Sequence, residues 1–491
     1  MKIRRGGPPV KTEKWMLMTI ILTLIVSMVS PLTTHAAAKE TIEDESIYDL
    51  LVDRYFNKSI ENDFEVDTQT PGAFAGGDFM GVIEKLDHIE KLGFTMISLG
   101  PVFSTETYDG KRVIDYEKLE RHFGTTEELN TLIDKVHQKN MSVIVDFPIQ
   151  NVSSKHVFTS NEDNDSWIIE NTDGTISFDF SNEDAQQAIL KSVLSFVKQY
   201  KVDGLRLTAI EDVDTDFLNT IIDALKEENE DFYVLSNDPS EAQFDAKVST
   251  EQEEQYRHAF KTVDNEIEIA VPSQDKPVIQ QIDSLNSRRF TADAAESNMF
   301  PPTRFKMAMA TILSIPGVPL MTYGSEIAVN GEKPPESHPL LDFNTDEELV
   351  EFIGDVQKLR NGSSALRTGA IEMLHNEAGL MIYKRSNEKE SWIVAINNTG
   401  GTQSFDLPRE VIGDNKELKG LFESDILRQK DDGTYKLVLS REIAEFYLVK
   451  DKKGFNKAYM AALVLVYVLF LFFIYLVWRK GRQKKREESL K

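Results

Sequence analysis

The feature that most constrains the fold is a regular alternation of short apolar runs and amphipathic helical patterns over most of the chain. The apolar runs that read as buried strands are Ile47–Val52, Thr95–Leu99, Ser142–Phe147, Gly204–Leu207, Phe232–Leu235, Ala246–Ser249, Val278–Asp283 and Gly317–Thr322. The helical patterns are Gly81–Leu92, Thr126–Lys139, Asn182–Tyr200, Asp214–Glu228 and Pro301–Ser314. Strands that alternate with helices in this way predict an α/β fold, a (β/α)8 barrel over residues 39–360. A short polar insertion at 150–180 separates the third and fourth strands.

The pattern changes after residue 366. The later apolar runs are short and are separated by Gly and Asn turns; they are Ile371–Leu374, Leu380–Lys384, Ser391–Asn397, Gln403–Leu407, Lys436–Leu439 and Glu445–Val449. Runs of this kind without helical patterns predict a small all-β sandwich domain over 366–450.

The two ends of the chain predict targeting segments. Basic residues, an apolar stretch and then Ala36–Ala38 are typical of a signal peptide, here 1–38, and an uncleaved N-terminal anchor is the alternative. A linker at 451–457 leads to 458–478, an uncharged and mostly apolar stretch that is long enough to cross a bilayer as a helix. The basic tail at 479–491 is expected in the cytoplasm. We therefore predict a single-pass cell-membrane protein with an extracellular body.

Composition excludes several classes of function. The chain has no Cys, which excludes disulfides, thiolate metal sites and a Cys nucleophile. An exported chain without Cys favours a Gram-positive bacterial source over a product of the endoplasmic reticulum. The formal net charge of −26 argues against a nucleic-acid partner, since phosphate binding needs a basic surface.

Several sequence motifs occur together in one order. They include Val52-Asp53-Arg54-Tyr55-Phe56-Asn57, Phe74-Ala75-Gly76-Gly77-Asp78-Phe79-Met80-Gly81 and Pro316-Gly317-Val318-Pro319-Leu320-Met321-Thr322-Tyr323-Gly324-Ser325-Glu326-Ile327. With them the chain resembles the α-amylase family of glycoside hydrolases from about Ile47 to Lys450. The resemblance implies a site at the carboxyl ends of the barrel strands, where two carboxyl groups about 5–5.5 Å apart cleave an α-glucosidic bond with retention.

The resemblance also implies that the catalytic carboxylates are missing. Where the family has its nucleophile, its general acid and its third carboxylate, this chain has Thr208, Asn237 and Asn286. A threonine hydroxyl carries no charge, and an amide has no titratable proton for a leaving oxygen. Asp238 is adjacent to Asn237, but strand alternation predicts that its side chain turns to the other face.

The surrounding positions predict a vestigial substrate pocket. Arg206 is retained and should share a strand face with Thr208. Other family-equivalent positions differ, with Asp109 and Lys111 in place of His and Tyr, Gln150-Asn151 in place of Asn-His, and Leu285 in place of His. The predicted pocket residues are Arg206, Tyr108, Asp109, Lys111, Asp146, Asn151 and Leu285.

From these losses we predict an amylase-like pseudoenzyme at the cell surface, a scaffold or binding protein whose partner is a membrane or envelope protein or an oligosaccharide. Two alternatives stay open. One is an α-glucan hydrolase with a rearranged site that uses Glu211, Asp212, Asp238 or Asp283. The other is a non-catalytic carbohydrate receptor that depends on Tyr108, Trp167 or Tyr323.

No cofactor is expected apart from calcium. The loop residues Asn57, Asn62 and Asp63 offer oxygen ligands, although a solvated polar loop is the simpler interpretation.

Overall fold

The structure is a computed structural model that describes residues 41–272, 277–344, 347–452 and 457–488. The strands are β1 Ile47–Asp49, β2 Met96–Ser98, β3 Phe103–Thr105, β4 Val113–Leu119, β5 Ser142–Pro148, β6 Val152–Ser153, β7 Ile168–Glu170, β8 Thr175–Phe178, β9 Gly204–Thr208, β10 Tyr233–Ser236, β11 Ala246–Val248, β12 Val278–Gln280, β13 Val318–Thr322, β14 Ala370–Glu377, β15 Leu380–Ser386, β16 Ser391–Asn397, β17 Gln403–Leu407, β18 Lys416–Gly420, β19 Ile426–Arg428, β20 Tyr435–Leu439 and β21 Ile443–Asp451.

The α-helices are α1 Val52–Tyr55, α2 Phe79–Glu84, α3 Leu86–Leu92, α4 Thr126–Gln138, α5 Glu183–Gln199, α6 Thr215–Glu228, α7 Thr250–Phe260, α8 Phe290–Glu296, α9 Pro301–Ile312, α10 Glu348–Gly362, α11 Ser364–Thr368, α12 Arg409–Ile412 and α13 Lys457–Glu488. Helix α4 shows why these segments are helical. The Thr125 side chain accepts a hydrogen bond from the Glu128 N–H and closes a capping box. Leu129, Leu132, Ile133 and Val136 then form one buried face.

The predicted barrel is confirmed. Eight parallel strands close in the order β1-β13-β12-β11-β10-β9-β5-β2, each within one of the predicted apolar runs or one residue beyond it. A separate cluster of buried residues comes from seven of these strands and includes Ile47, Met96, Ile144, Leu235 and Val318. Their carboxyl ends meet at one face of the barrel, where the loops carry the candidate site.

Some predicted boundaries are wrong. In the first apolar run, strand β1 ends at Asp49 and helix α1 begins at Val52. The predicted helix Gly81–Leu92 is two helices, α2 and α3, which are separated at Lys85. The hairpin β3-β4 and the helices α7, α8, α10, α11 and α12 were not predicted either. The polar insertion at 150–180 contains the small sheet β6-β8-β7.

The predicted all-β domain is confirmed as well. It has a six-stranded sheet, β14-β15-β16-β21-β18-β19, and the two-stranded sheet β17-β20. They enclose a second buried cluster that includes Leu380, Ile393, Leu437 and Tyr447. Strands β18 and β19 were missed because β18 contains one large apolar residue, Leu418, and β19 is only three residues long, so neither forms an apolar run like those of their neighbours.

Among the described residues, one helix is long and apolar enough to cross a membrane. That segment, Met460–Gln483 of α13, has a mean hydropathy of 2.9, and its apolar part is not buried against the rest of the protein. The helix continues beyond the predicted span 458–478 into the predicted basic tail. The predicted signal peptide lies outside the described residues.

Candidate active site

A cavity of about 390 Å³ lies at the carboxyl ends of the barrel strands. It is lined by nine of the ten predicted site residues, namely Asp109, Lys111, Asp146, Asn151, Arg206, Thr208, Asn237, Leu285 and Asn286. Tyr108 lies behind this wall and contacts it through His338. The structure therefore brings the predicted residues together from strands β5 and β9 and from the loops that follow β2, β5, β10 and β12. Whether Thr208, Asn237 and Asn286 hold the family's catalytic positions stays a prediction.

Arg206 forms the buried floor of the cavity. Its Nε and Nη2 donate to the two carboxylate oxygens of Asp146, and Nη2 also donates to Asp49 Oδ1, each at 2.7 Å. Burial opposes the charge, but the two carboxylates outweigh it and raise the pKa of Arg206. Arg206 Nη1 is buried and has no hydrogen-bond partner among the described residues. The floor therefore offers one free donor, while Asp146 and Asp49 are already engaged with the guanidinium group.

Thr208 is the last residue of β9 and lies two residues after Arg206. Both residues line the cavity, as a shared face of the strand would require. Asp49 was missed as the second partner of Arg206, because nothing in the spacing of β1 and β9 shows that their inward-facing side chains meet across the barrel.

The predicted orientation of Asp238 is wrong. Alternation predicted that its side chain would turn away from Asn237, yet both residues line the cavity. The reason is that β10 ends at Ser236, whose hydroxyl donates to the Asp238 carbonyl at 2.7 Å and so closes a turn. Beyond a strand end the two-residue alternation no longer applies.

The surroundings of the Asp238 carboxyl group shift its pKa. Burial is the main cause that raises its pKa above the usual value, and the nearby charge of Glu211 raises it further. One carboxylate oxygen accepts a hydrogen bond from the Ile210 N–H at 3.2 Å. A partly buried carboxyl with a raised pKa stays protonated closer to neutral pH than an exposed one.

Two links join loops on one side of the cavity mouth. Lys111 Nζ donates to Asn286 Oδ1 at 2.6 Å. Tyr108 Oη donates to His338 Nδ1 at 2.9 Å, and His338 Nε2 donates to the Leu285 carbonyl at 2.7 Å. Burial lowers the pKa of His338 to about 3, so the imidazole is neutral at physiological pH. Sequence reading missed His338, because it lies in a Pro-rich loop far from any recognised motif.

A second cavity of about 590 Å³ adjoins the first. The two share Gln150, Asn151, Ala209 and Asp238. The walls of the second cavity include the acidic side chains of Asp179, Glu211, Asp212, Asp214 and Asp238 and contain no Lys, Arg or His among the described residues. Asp283, another acid considered from the sequence, lies in neither cavity; it is buried and accepts a hydrogen bond from the Phe290 N–H.

The calcium candidates fit a cation only in part. Asn57 Nδ2 donates to Asp63 Oδ1 at 2.8 Å, and the Asn62 amide donates to the His122 carbonyl. Asn62 Oδ1 is buried without a partner among the described residues, and it is the kind of oxygen that calcium binds. Among the described residues no three His, Asp or Glu side chains form a metal-binding group. Calcium stays a prediction.

Known proteins match both domains. The family model described as "Alpha amylase, catalytic domain" matches residues 50–173, and the one described as "Alpha-amylase C-terminal domain" matches residues 369–447. The crystal structure of an Anoxybacillus α-amylase superimposes with a TM-score of 0.81 and 31% sequence identity, covering 85% of this chain and 100% of that one. The chain belongs to the α-amylase family.

Other α-amylase-family members extend the comparison. The α-amylase from Geobacillus thermoleovorans, solved as a complex with acarbose, is 28% identical with a TM-score of 0.78 and covers 84% of this chain and 100% of that one. The "Beta/alpha-amylase" of Paenibacillus polymyxa is 26% identical over 73% of this chain, which spans only 34% of that protein. Further relatives are named cyclomaltodextrinases and maltogenic amylases, among them an intracellular maltogenic amylase of Bacillus subtilis.

These names contradict the prediction of a non-catalytic pseudoenzyme, because the relatives are named as enzymes. One relative is named as intracellular, and the cell-surface location of this chain stays a prediction. The names favour a hydrolase of α-glucans. The prediction rested on the three side chains Thr208, Asn237 and Asn286, and it placed Asp238 on the other face, whereas Asp238 lines the cavity.

Proposed function

We propose that this α-amylase-family protein is an α-glucan hydrolase with a rearranged active site. The observation that carries the proposal is the position of Asp238 on the wall of the barrel-mouth cavity, with a pKa that burial raises. The relatives' names supply the substrate class, linear or cyclic α-glucans of the maltodextrin type.

Asp238 is the proposed general acid. Its raised pKa keeps a proton available for the leaving glycosidic oxygen, which is what glycoside hydrolysis requires of one carboxyl group. Asp146 is unsuited to this role because Arg206 holds both of its oxygens. It acts as a positioning residue that fixes the guanidinium group beneath the sugar.

Asp109 is the proposed second carboxylate. It follows β2, on the other side of the barrel mouth from Asp238, and lines the same cavity. Its Oδ1 accepts from the Thr107 hydroxyl at 2.7 Å, and Lys111 Nζ lies 3.4 Å from Oδ2. Its position on the cavity wall beside this ammonium group is the reason for choosing it as the partner of Asp238.

The test is hydrolysis of maltoheptaose by the full-length protein in a detergent without a sugar headgroup. We expect new reducing ends from the wild type and at least about a 100-fold lower rate from Asp238→Asn, since general acid catalysis contributes about that much. Asp223→Asn, an exposed residue on α6, is the matched control and should keep the wild-type rate.

Equal rates from the wild type and Asp238→Asn would remove Asp238 from the mechanism. Binding of maltoheptaose without any product from the wild type would overturn the hydrolase proposal.

We also propose that Met460–Gln483 attaches the protein to a membrane, with the basic residues that follow on the cytoplasmic side. The support is the full exposure of this apolar helix, since water would otherwise cover its whole side-chain surface. The full chain should stay in the membrane pellet after alkaline carbonate washing, and a chain that ends at Lys452 should not. Release of the full chain by the wash would contradict the proposal.

Co-purification from the same detergent extract tests the predicted membrane or envelope protein partner.

A further inference from the structure

The mouth of the barrel has two unlike halves. In the closed strand order, β2, β1, β13 and β12 are consecutive neighbours and form one half of the ring. Strands β5, β9, β10 and β11 form the other half. The loops that follow the strands therefore fall into two groups on opposite sides of the cavity.

The first half is closed by contacts between its own loops. Lys111 and Tyr108 belong to the hairpin after β2, Asn286 and Leu285 follow β12, and His338 follows β13. The Lys111–Asn286 link is exposed, whereas the Tyr108–His338–Leu285 link is buried, with Tyr108 6% and His338 1% exposed. Three loops are thus joined into one wall.

The second half is open. Here the cavity continues into the acidic second cavity. The residues that line both cavities are Gln150 and Asn151 after β5, Ala209 after β9 and Asp238 after β10. In the described residues no hydrogen bond or ion pair joins the loop after β9 to the sheet β6-β8-β7 across this opening. A bound chain therefore has one way out of the site.

We propose that the cavity holds only the end of a linear α-glucan, with the rest of the chain leaving through the acidic second cavity. The proposal rests on the proposed function and specifies its substrate class. The volume of about 390 Å³ suits one or two sugar rings, and polar residues such as Asn151, Asn237 and Lys111 line it. A cyclic α-glucan has no end to insert and would need a passage through the closed half.

The experiment compares maltoheptaose with β-cyclodextrin, which has the same number of glucose units but no chain end. Both are titrated by calorimetry into the full-length protein in a detergent without a sugar headgroup. We expect maltoheptaose to bind at least about tenfold more tightly, a difference in dissociation constant that calorimetry resolves readily.

The double variant Lys111→Ala/Asn286→Ala tests whether the Lys111–Asn286 link is what excludes β-cyclodextrin. Lys118→Ala, at an exposed residue in the same hairpin, is the control. If discrimination against β-cyclodextrin is lost in the double variant, the exposed link closes the mouth. If it is kept, the Lys111–Asn286 link does not close the mouth, and that part of the account is overturned.

Equal affinity of the wild type for the two sugars would overturn the chain-end proposal and leave the proposed function standing. Binding of neither sugar would overturn both, and hydrolysis of maltoheptaose distinguishes the cases independently.

Discussion

Asp238 shows how much the role of one side chain depends on where its strand stops. Its neighbour Asn237 was expected to face the substrate alone, because side chains alternate along a strand. Strand β10 ends at Ser236, immediately before Asn237, and the turn that follows places both Asn237 and Asp238 at the cavity. At this scale a shift of one residue decides whether a carboxyl group is available to the site.

The pKa of Asp238 leads to a prediction about pH dependence. A raised pKa means that the acid form persists to higher pH, so the rate of hydrolysis should fall as pH rises through that value. The charge of Glu211 contributes to the shift. Glu211→Gln removes a negative charge, favours ionisation of Asp238 and should move the alkaline fall in kcat/KM to lower pH.

The measurement is the pH profile of kcat/KM on maltoheptaose, with Glu228→Gln as a control that carries the same change away from the cavity. A fall that stays at the same pH, or moves upward, would show that Asp238 is not the group that titrates.

At the scale of elements, the segment Phe74–Gly81 packs closely against the backbone of α1 and of the residue that follows it. A Cβ added to Gly77 would lie 2.1 Å from the Val52 carbonyl oxygen, and one added to Gly81 would lie 1.7 Å from the Phe56 carbonyl oxygen. Both distances are far inside van der Waals contact. These glycines are therefore required by the approach of two backbones.

Gly81→Ala should accordingly destabilise the protein by about 1–3 kcal/mol, the usual cost of overpacking. Gly362, near the end of α10, has no atom within 4 Å of an added Cβ, so Gly362→Ala should be neutral or stabilise by about 0.5–1 kcal/mol. Thermal unfolding of the two variants beside the wild type measures the difference. Equal melting temperatures for both variants would contradict this account of the motif.

At the scale of the whole molecule, buried polar contacts join the barrel to the C-terminal domain. Arg304 on α9 donates from Nη1 to Asn398 Oδ1 at 2.7 Å, and the Asn398 amide donates to the Ala259 carbonyl at 2.9 Å. Burial lowers the pKa of Arg304, which shows that its surroundings disfavour the charge unless partners offset it. Asn398, just after β16, therefore satisfies groups on two barrel helices.

Asn398→Ala should lower the free energy of unfolding by about 1.5–3 kcal/mol, because it leaves a buried guanidinium N–H without its acceptor. Asn387→Ala, in an exposed turn of the same domain, is the control. The melting temperature of the full-length protein reports the difference. A midpoint for Asn398→Ala that matches the control would show that the two domains do not depend on this contact.

The sequence by itself determined the barrel, the all-β domain and the apolar C-terminal helix. These follow from hydrophobic periodicity and turn residues, which act within about 10–20 neighbouring residues and can be read locally. It also identified nine residues that line the cavity, because strand ends in a parallel barrel meet at one face.

Only the tertiary structure decided which side chains those residues meet. Lys111 and Asn286 are 175 residues apart in sequence, Tyr108 and His338 are 230 apart, and Arg206 and Asp49 are 157 apart. Such contacts depend on the closure of the barrel and on the path of loops beyond the strand ends, where no periodic rule holds. The position of Asp238 and the closed half of the mouth are fixed in the same way, by the folding of distant segments against each other.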